Sequence, residues 1–236
     1  MSSSSSTTPS GERLPVIGGA AWEIGDQNGL GTCSMWAVRY ALEWAAQRPL
    51  TDGETKAFEN TVKREQPNTR SGNAWTVATA IATVQRALHG QRILAETAFT
   101  LLQGRWGSGN GIPFGREMVD RFMHNQMFGP GTAHLVHLSN LVLCRVNIGG
   151  TQENVFVPAN AEEIQRGTGH SLVIIGVDPG RQALVGFQAH GDVAAEGDDA
   201  AGGRCYVPFS ALYVPTQHDT ICLCWYVAVC MSSASA

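Results

Sequence analysis

The chain has 236 residues, of which 43% are hydrophobic, and a formal net charge of -4 at neutral pH. This length is enough to bury a sizeable core, either as one domain or as two lobes around a cleft. The small negative charge argues against nucleic acid or an anionic membrane surface as a partner, and no apolar run approaches the length of a membrane span. We therefore expect a soluble, enzyme-sized body.

The two ends of the chain differ in composition from its middle. Residues 1–11 are rich in serine and poor in apolar groups, so burial cannot offset the entropy of ordering them. We expect a disordered tail there and another at 232–236, with a single domain over 12–231. The N-terminus lacks the charged start and apolar core of a secretory signal.

The chain contains six cysteines, and several of them lie in apolar, strand-like runs. We interpret five of them as buried free thiols, because a free cysteine is among the most buried residue types. This interpretation favours the cytoplasm or another reducing compartment. It leaves a virion-associated or effector role open.

The first half of the chain has mostly helical patterns. A largely buried helix is expected to end before Pro49, since proline disfavours helix in the residue that precedes it. Thr51 and Glu54 form a capping box that opens a more polar helix. The predicted helices cover about 32–48, 51–65, 73–89 and 116–127.

The second half has apolar runs separated by Gly, Pro, Asn and Asp, which is typical of strands. The predicted strands cover 133–138, 141–148, 171–177, 183–187, 204–209 and 221–229. Helices followed by strands indicate an α+β protein, with a helical lobe over about 12–130 and a β lobe over about 131–231. The crevice between two such lobes is a natural place for a site.

Two separated segments carry the candidate chemistry. Residues 27–37 end a Gly-rich loop with Cys33 at the opening of the first helix, where backbone N–H groups and the helix dipole favour a thiolate. His170 precedes a buried-looking strand that would hold its imidazole rigidly. Gln27 can aim its amide at an oxyanion, and Gln188 can accept a hydrogen bond from the far imidazole nitrogen. The pattern predicts a cysteine nucleophile with a histidine base.

These segments resemble the papain-like cysteine proteases, the family of papain and the cathepsins. Residues 27–33 match the family's Gln-x(5)-Cys segment, and residues 170–176 resemble its histidine segment. Residues 71–75 resemble its Gly-Gly-x-Pro-Trp stretch, and residues 203–209 resemble the strand after its Asn-Ser-Trp-Gly motif. The resemblance implies a papain-like two-lobed fold, with a helical N-terminal lobe, an antiparallel β-sheet or barrel as the C-terminal lobe, and the active site in the cleft between them.

The resemblance also implies a role for each matched residue. Cys33 would be the nucleophile, His170 the base and acid, Gln27 the oxyanion donor and Gln188 the residue that orients the imidazole. The substrate-binding residues would be Gly72, Asn73, Ala74 and Gly169. The implied protein is a monomeric thiol peptidase that cleaves peptide or protein substrates and needs no cofactor.

The departures from the family pattern keep other functions open. Gln188 stands where the family has asparagine, and His190 stands where it has tryptophan. Leu30 replaces a cysteine that the family commonly pairs in a disulfide, and no long propeptide is seen, so the protein either needs no zymogen or has been trimmed. The alternatives are a protein deamidase or acyltransferase with the same thiol, and a catalytically weak pseudoprotease that binds partners.

Two histidines and two cysteines in the second half are of the residue types that bind zinc. His134 and His137, together with Cys222 and Cys224, supply suitable ligand types, but neither spacing matches a usual zinc pair. We therefore predict structural roles for these residues and no metal.

Overall fold

The structure is a computed structural model. It describes residues 16–17, 20–21, 32–69, 77–101, 105–106, 109–110, 112–113, 121, 128–129, 131–166, 169–188, 203–212 and 223–233. The helices are α1 (Cys33–Ala46), α2 (Asp52–Thr69), α3 (Val77–Ala87), α4 (Arg92–Glu96) and α5 (Ala161–Arg166), and a 3-10 turn covers Phe209–Leu212.

Most strands belong to one large sheet. The strands are β1 (Val16–Ile17), β2 (Ala20–Ala21), β3 (Thr97–Leu101), β4 (Arg105–Trp106), β5 (Gly109–Asn110), β6 (Ile112–Pro113), β7 (Thr132–Ser139), β8 (Leu141–Ile148), β9 (Thr151–Pro158), β10 (Gly169–Asp178), β11 (Ala183–Phe187), β12 (Arg204–Pro208) and β13 (Leu223–Ser232). The order in the sheet is β3-β13-β7-β10-β11-β12-β9-β8, with β6 beside β13. All of its pairs are antiparallel except β12 with β9.

Helix α1 is the centre of the helical layer. Its apolar residues are buried on most of its surface, and Met35, Tyr40 and Leu42 have no exposed area. The helix ends where Gln47 takes a left-handed conformation with φ of 54°, and the Gln47 N–H donates to carbonyls of the last turn. A helix that is apolar nearly all round has to be covered on several sides, and α1 contacts α3, β7, β10 and β13.

Two apolar clusters lie on the two faces of the sheet. The first joins α1, α2, α3 and α4 to residues such as Leu135 and Val173 on β7 and β10. The second lies under the opposite face and contains Val136, Leu172 and Phe156, together with the 3-10 turn. Neighbouring residues such as Leu135 and Val136 belong to different clusters, as the alternation of side chains along a strand requires.

The α+β class predicted from the sequence is confirmed. The division into helices and then strands is less clean than expected, because β3 from the first half pairs with β13. Strand β9 was not predicted, because its first residues are polar. Glu153 and Asn154 are nevertheless buried, since Glu153 accepts a hydrogen bond from Arg181 at 3.0 Å and the Asn154 amide donates to the carbonyl of Arg204 at 3.1 Å.

Several predictions concern the ends and the cysteines. The N-terminal tail and most of the helix predicted over 116–127 lie outside the described residues. At the other end, β13 reaches Ser232, and the Ser233 hydroxyl donates to the carbonyl of Ala95 at 2.8 Å, so order continues into the predicted tail. None of the described helices has both the length and the apolar character needed to cross a membrane. Cys33, Cys144, Cys205 and Cys230 are free thiols; Cys205 and Cys230 are buried as predicted, whereas Cys144 is half-buried.

Candidate active site

Cys33 is the first residue of α1 and is half-buried. Thr32 precedes it as the N-cap residue, but its side chain makes no capping hydrogen bond. The carbonyl of Thr32 does begin the helix, because it accepts the N–H groups of Met35 and Trp36. No side-chain cap from Thr32 therefore competes for the first N–H groups of α1.

The sulfur of Cys33 is held between α1 and β10. The backbone N–H and the hydroxyl of Ser171, on β10, hydrogen-bond the thiol, and so do the corresponding groups of Ser34. The hydroxyls of Ser34 and Ser171 are themselves 2.8 Å apart. The start of the buried helix is thus fastened to the start of a buried strand through these three side chains.

His170 lies one residue before Ser171 on β10, and its side chain points to the other face of the sheet. Its ring stacks on Phe156 with the centroids 5.8 Å apart, and it hydrogen-bonds the side chain of Gln188. His170 pairs with Leu138 across β7, and both belong to the side occupied by the second cluster. Only 8% of His170 and 1% of Gln188 is exposed, so the pair is held in a fixed environment.

The structure brings Cys33 to the backbone beside His170 but not to its imidazole, which lies on the other face of β10. The Ser171 N–H that contacts the sulfur belongs to the peptide group that joins His170 to Ser171. In this arrangement the imidazole of His170 bonds to Gln188, while the thiol bonds to Ser171 and Ser34. A direct bond between the thiol and this imidazole stays a prediction, as does the orienting role of Gln188.

Burial sets the protonation states of the site. Burial raises the pKa of the Cys33 thiol, although the N–H and hydroxyl groups of Ser171 and Ser34 act in the opposite direction. Burial lowers the pKa of His170 to about 4, and the hydrogen bond to Gln188 opposes this shift. Near neutral pH the structure therefore holds a neutral thiol and a neutral imidazole, whereas the sequence analysis favoured a thiolate.

His137 is a further group at this site, and the sequence analysis gave it a structural role. It lies on β7 directly opposite Ser171, and its Nδ1 is 3.1 Å from the Ser171 hydroxyl. Burial, followed by the nearby His170, lowers the pKa of His137 to about 4. The only sequence signal for His137 was its place inside an apolar run. Its partner could not be predicted without the strand register.

Of the predicted substrate-binding residues, the structure describes only Gly169. This residue is exposed at the first position of β10, and a Cβ added to it would lie 3.1 Å from Nε2 of His137. The ring of His137 therefore covers the backbone of Gly169. The other predicted site residues lie outside the described residues: Gln27, Gly72, Asn73 and Ala74.

The described residues offer an acid–base site and no metal centre. No group of three or more His, Cys, Asp or Glu side chains among them could hold a metal ion. The groups that surround the thiol are hydroxyls, backbone N–H groups and, one step away, imidazoles. Such a set can bind an anionic oxygen and move a proton from sulfur to nitrogen.

Comparison of the chain with protein-family models, with curated proteins and with solved structures finds no match.

Proposed function

We propose that the protein is a thiol-dependent hydrolase that cleaves peptide bonds, with a papain-like arrangement of two lobes around the site. The Cys33 sulfur attacks the peptide carbonyl, and its proton passes to the imidazole of His170, which has to turn from the opposite face of β10 to reach the sulfur. The imidazolium then gives that proton to the leaving amine, whose bond to the carbonyl carbon breaks. Water releases the acyl group from the sulfur, with the imidazole again accepting and returning a proton.

A single observation carries this proposal. The thiol at the first residue of the central helix accepts the N–H of the peptide group that follows His170, and His170 is itself hydrogen-bonded to Gln188. Nucleophile, base and orienting group are therefore on elements that touch each other. The order Gln27, Cys33 and His170 along the chain, with its resemblance to papain-like proteases, gives independent support.

The neutral resting state determines how the first step proceeds. The low pKa of His170 makes its imidazole a weak base, and a neutral thiol needs a proton acceptor at the moment of attack. Proton transfer and carbon–sulfur bond formation are then coupled. The first N–H groups of α1 stabilise the negative oxygen that develops on the carbonyl.

The test is hydrolysis of a library of fluorogenic peptides under reducing conditions, by wild type, Cys33→Ala and Cys144→Ala. Cys144 is the matched control because it is also a half-buried free thiol but lies on β8. We expect cleavage by wild type and Cys144→Ala, with loss in Cys33→Ala. Equal rates in Cys33→Ala and wild type would overturn the proposal. Intact-mass measurement of a protein target separates cleavage from deamidation, which leaves the chain unbroken.

A binding module is the second candidate, and the raised pKa of Cys33 favours it. A protonated thiol is a weak nucleophile, and the imidazole of His170 is engaged with Gln188 and Phe156. Labelling with an epoxysuccinyl inhibitor discriminates between the two candidates. Labelling of Cys33 no faster than that of a thiol in unfolded protein favours the binding module, and faster labelling favours the peptidase.

A further inference from the structure

The hydroxyl of Ser171 is shared by three side chains. It lies 2.8 Å from the hydroxyl of Ser34 and 3.1 Å from Nδ1 of His137, and it hydrogen-bonds the thiol of Cys33. Ser171 is 1% exposed, so bulk water cannot take the place of any of these partners. The hydroxyl connects His137 on β7 to the thiol on α1.

The tautomer of His137 determines which partner receives the single hydroxyl hydrogen of Ser171. A serine hydroxyl has one hydrogen to donate, whereas a neutral imidazole either donates or accepts at Nδ1, according to its tautomer. If Nδ1 accepts, the Ser171 hydrogen is directed to His137. If Nδ1 donates, that hydrogen is released to the sulfur, either directly or through Ser34. A sulfur that receives a hydrogen bond is stabilised as a thiolate.

We propose that His137 is a positioning residue for Cys33, because its imidazole sets the direction in which the Ser171 hydroxyl donates. The inference rests on the proposed function only in taking Cys33 as the reactive group. Among the described residues, the titratable groups that act on this network from the packed elements are Cys33 from α1 and, through its charge, His170 from β10. Neither takes the place of His137 opposite Ser171 in the sheet register.

The backbone beside His137 supports a fixed ring position. The imidazole rests against Gly169, where an added Cβ would come within 3.2 Å of two ring atoms, Nε2 and Cε1. Gly169 pairs with Ser139, and position 169 is on the same face of β10 as Ser171. A side chain at 169 would push the ring away without removing its nitrogen atoms, so Gly169→Ala tests the position of His137 separately from its chemistry.

The experiment compares two amide replacements of His137. Asparagine places its amide as many bonds from the backbone as Nδ1, and glutamine places it where Nε2 lies, so only His137→Asn can still donate to Ser171. Iodoacetamide forms a carbon–sulfur bond with the thiolate and releases iodide. The alkylation rate of Cys33 against pH, followed by peptide mass spectrometry in the full chain, therefore reports how readily the thiol ionises.

We expect His137→Gln and Ser171→Ala to slow alkylation of Cys33 near pH 7 about tenfold, as a rise of one pKa unit does, and to move the rate profile to higher pH. His137→Asn keeps a profile close to wild type, and Gly169→Ala shows an intermediate loss. The double variant His137→Gln with Ser171→Ala is no slower than Ser171→Ala alone, because both changes break one chain.

Two thiols act as internal controls. The rate at Cys144 should stay unchanged in every variant, and alkylation of Cys205, which is fully buried, reports any unfolding. If any one of His137→Gln, His137→Asn and Ser171→Ala unfolds, the comparison of the remaining two still decides the matter.

Equal profiles for His137→Gln and wild type would overturn the proposal. Additive losses in the double variant would do the same, since they would mean that His137 acts independently of Ser171. None of these measurements needs a peptide substrate, so failure of the peptidase assay and failure of this inference are distinguishable.

Discussion

The imidazole of His170 is hydrogen-bonded to the side chain of Gln188, and both groups are almost completely buried. His170 lies at the second position of β10, and Gln188 directly follows the end of β11, the neighbouring strand. The hydrogen bond raises the pKa of His170 against the effect of burial, so the amide oxygen accepts from the imidazole. The Gln188 amide therefore contacts the ring at the nitrogen that carries its proton.

Gln188→Leu tests the orienting role, because leucine keeps the size of the side chain and removes its acceptor. We expect kcat/KM for peptide cleavage to fall about a hundredfold, as displacement of a catalytic group does. The same variant should lower the pKa of His170 further. Steady-state kinetics on the fluorogenic peptides, with thermal unfolding as the control for folding, measure the effect. Unchanged kcat/KM in a folded variant would contradict the role of Gln188.

The activity should have an unusual pH dependence. The base must be neutral to accept the thiol proton, and burial lowers the pKa of His170 to about 4. We expect kcat/KM to rise through about pH 4 and to level off by about pH 6, whereas an unperturbed histidine would place the limb near 6.5. Gln188→Leu should move this limb to lower pH.

The pH profile has a matched control in His137, whose pKa is also lowered to about 4. His137→Asn removes that titrating ring, so a limb that stays in place belongs to His170. Measurements in buffers of constant ionic strength, with Cys33→Ala as the blank, give the profile. A limb centred near pH 6.5 in wild type would show that the base is exposed and is not the buried ring.

Local features of the site could be predicted from the sequence. The start of α1 at Cys33 follows from the apolar pattern and the Gly-rich loop before it, which are properties of neighbouring residues. The capping box was also local, and it is confirmed by the Thr51 N–H donating to Glu54 at 2.8 Å and the Glu54 N–H donating to the Thr51 hydroxyl at 3.4 Å.

The contact between His137 and Ser171 could not be predicted in the same way. These residues are 34 positions apart and meet only because β7 and β10 pair in one particular register. A slip of one residue would turn His137 to the face that holds Phe156 and the second cluster. The sequence identified strand patterns for both segments, but a pattern of period two fits more than one register.

Glu54 should contribute strongly to stability because its carboxylate joins three segments. It is 1% exposed and accepts hydrogen bonds from Arg48 at 2.8 Å and from the backbone N–H of Ile93 at 3.0 Å, in addition to Thr51. We expect Glu54→Gln to lower the free energy of unfolding at pH 7 by about 2–3 kcal/mol, the usual effect of losing charged hydrogen bonds. Urea denaturation measures it, with Glu59→Gln as the control, since Glu59 is exposed on the same helix.

The effect of Glu54 should depend on pH with a defined sign. Burial acts to raise the pKa of Glu54, but the hydrogen bonds from Arg48, Thr51 and Ile93 outweigh it and hold the pKa at about 2. An unfolded glutamate titrates near 4.3, so the stabilisation is complete above about pH 4.5 and is lost as the pH falls toward about 2. Glu54→Gln should flatten this part of the stability profile. The same slope in wild type and variant between pH 5 and pH 2.5 would refute the assignment.

Substitution of Gly186 should destabilise the fold, because there is no space for a side chain at this position. It pairs with Ile174 beside the irregularity in β10, and a Cβ added to it would lie 2.6 Å from the carbonyl oxygen of Val173 and 2.9 Å from Cδ1 of Ile174. The backbone oxygen cannot move without distorting the strand that carries His170. We expect Gly186→Ala to lower the free energy of unfolding by about 1–3 kcal/mol, as overpacking of a core does.

The matched control for this prediction is Gly176, which lies at the same irregularity of β10 and has no atom within 4 Å of an added Cβ. Gly176→Ala should change the free energy of unfolding by less than about 0.5 kcal/mol, or raise it slightly, because alanine loses less backbone freedom than glycine on folding. Urea denaturation of the two variants gives the comparison. If Gly176→Ala were as destabilising as Gly186→Ala, the cost would come from the irregular pairing itself and not from the close approach of Gly186 to Val173.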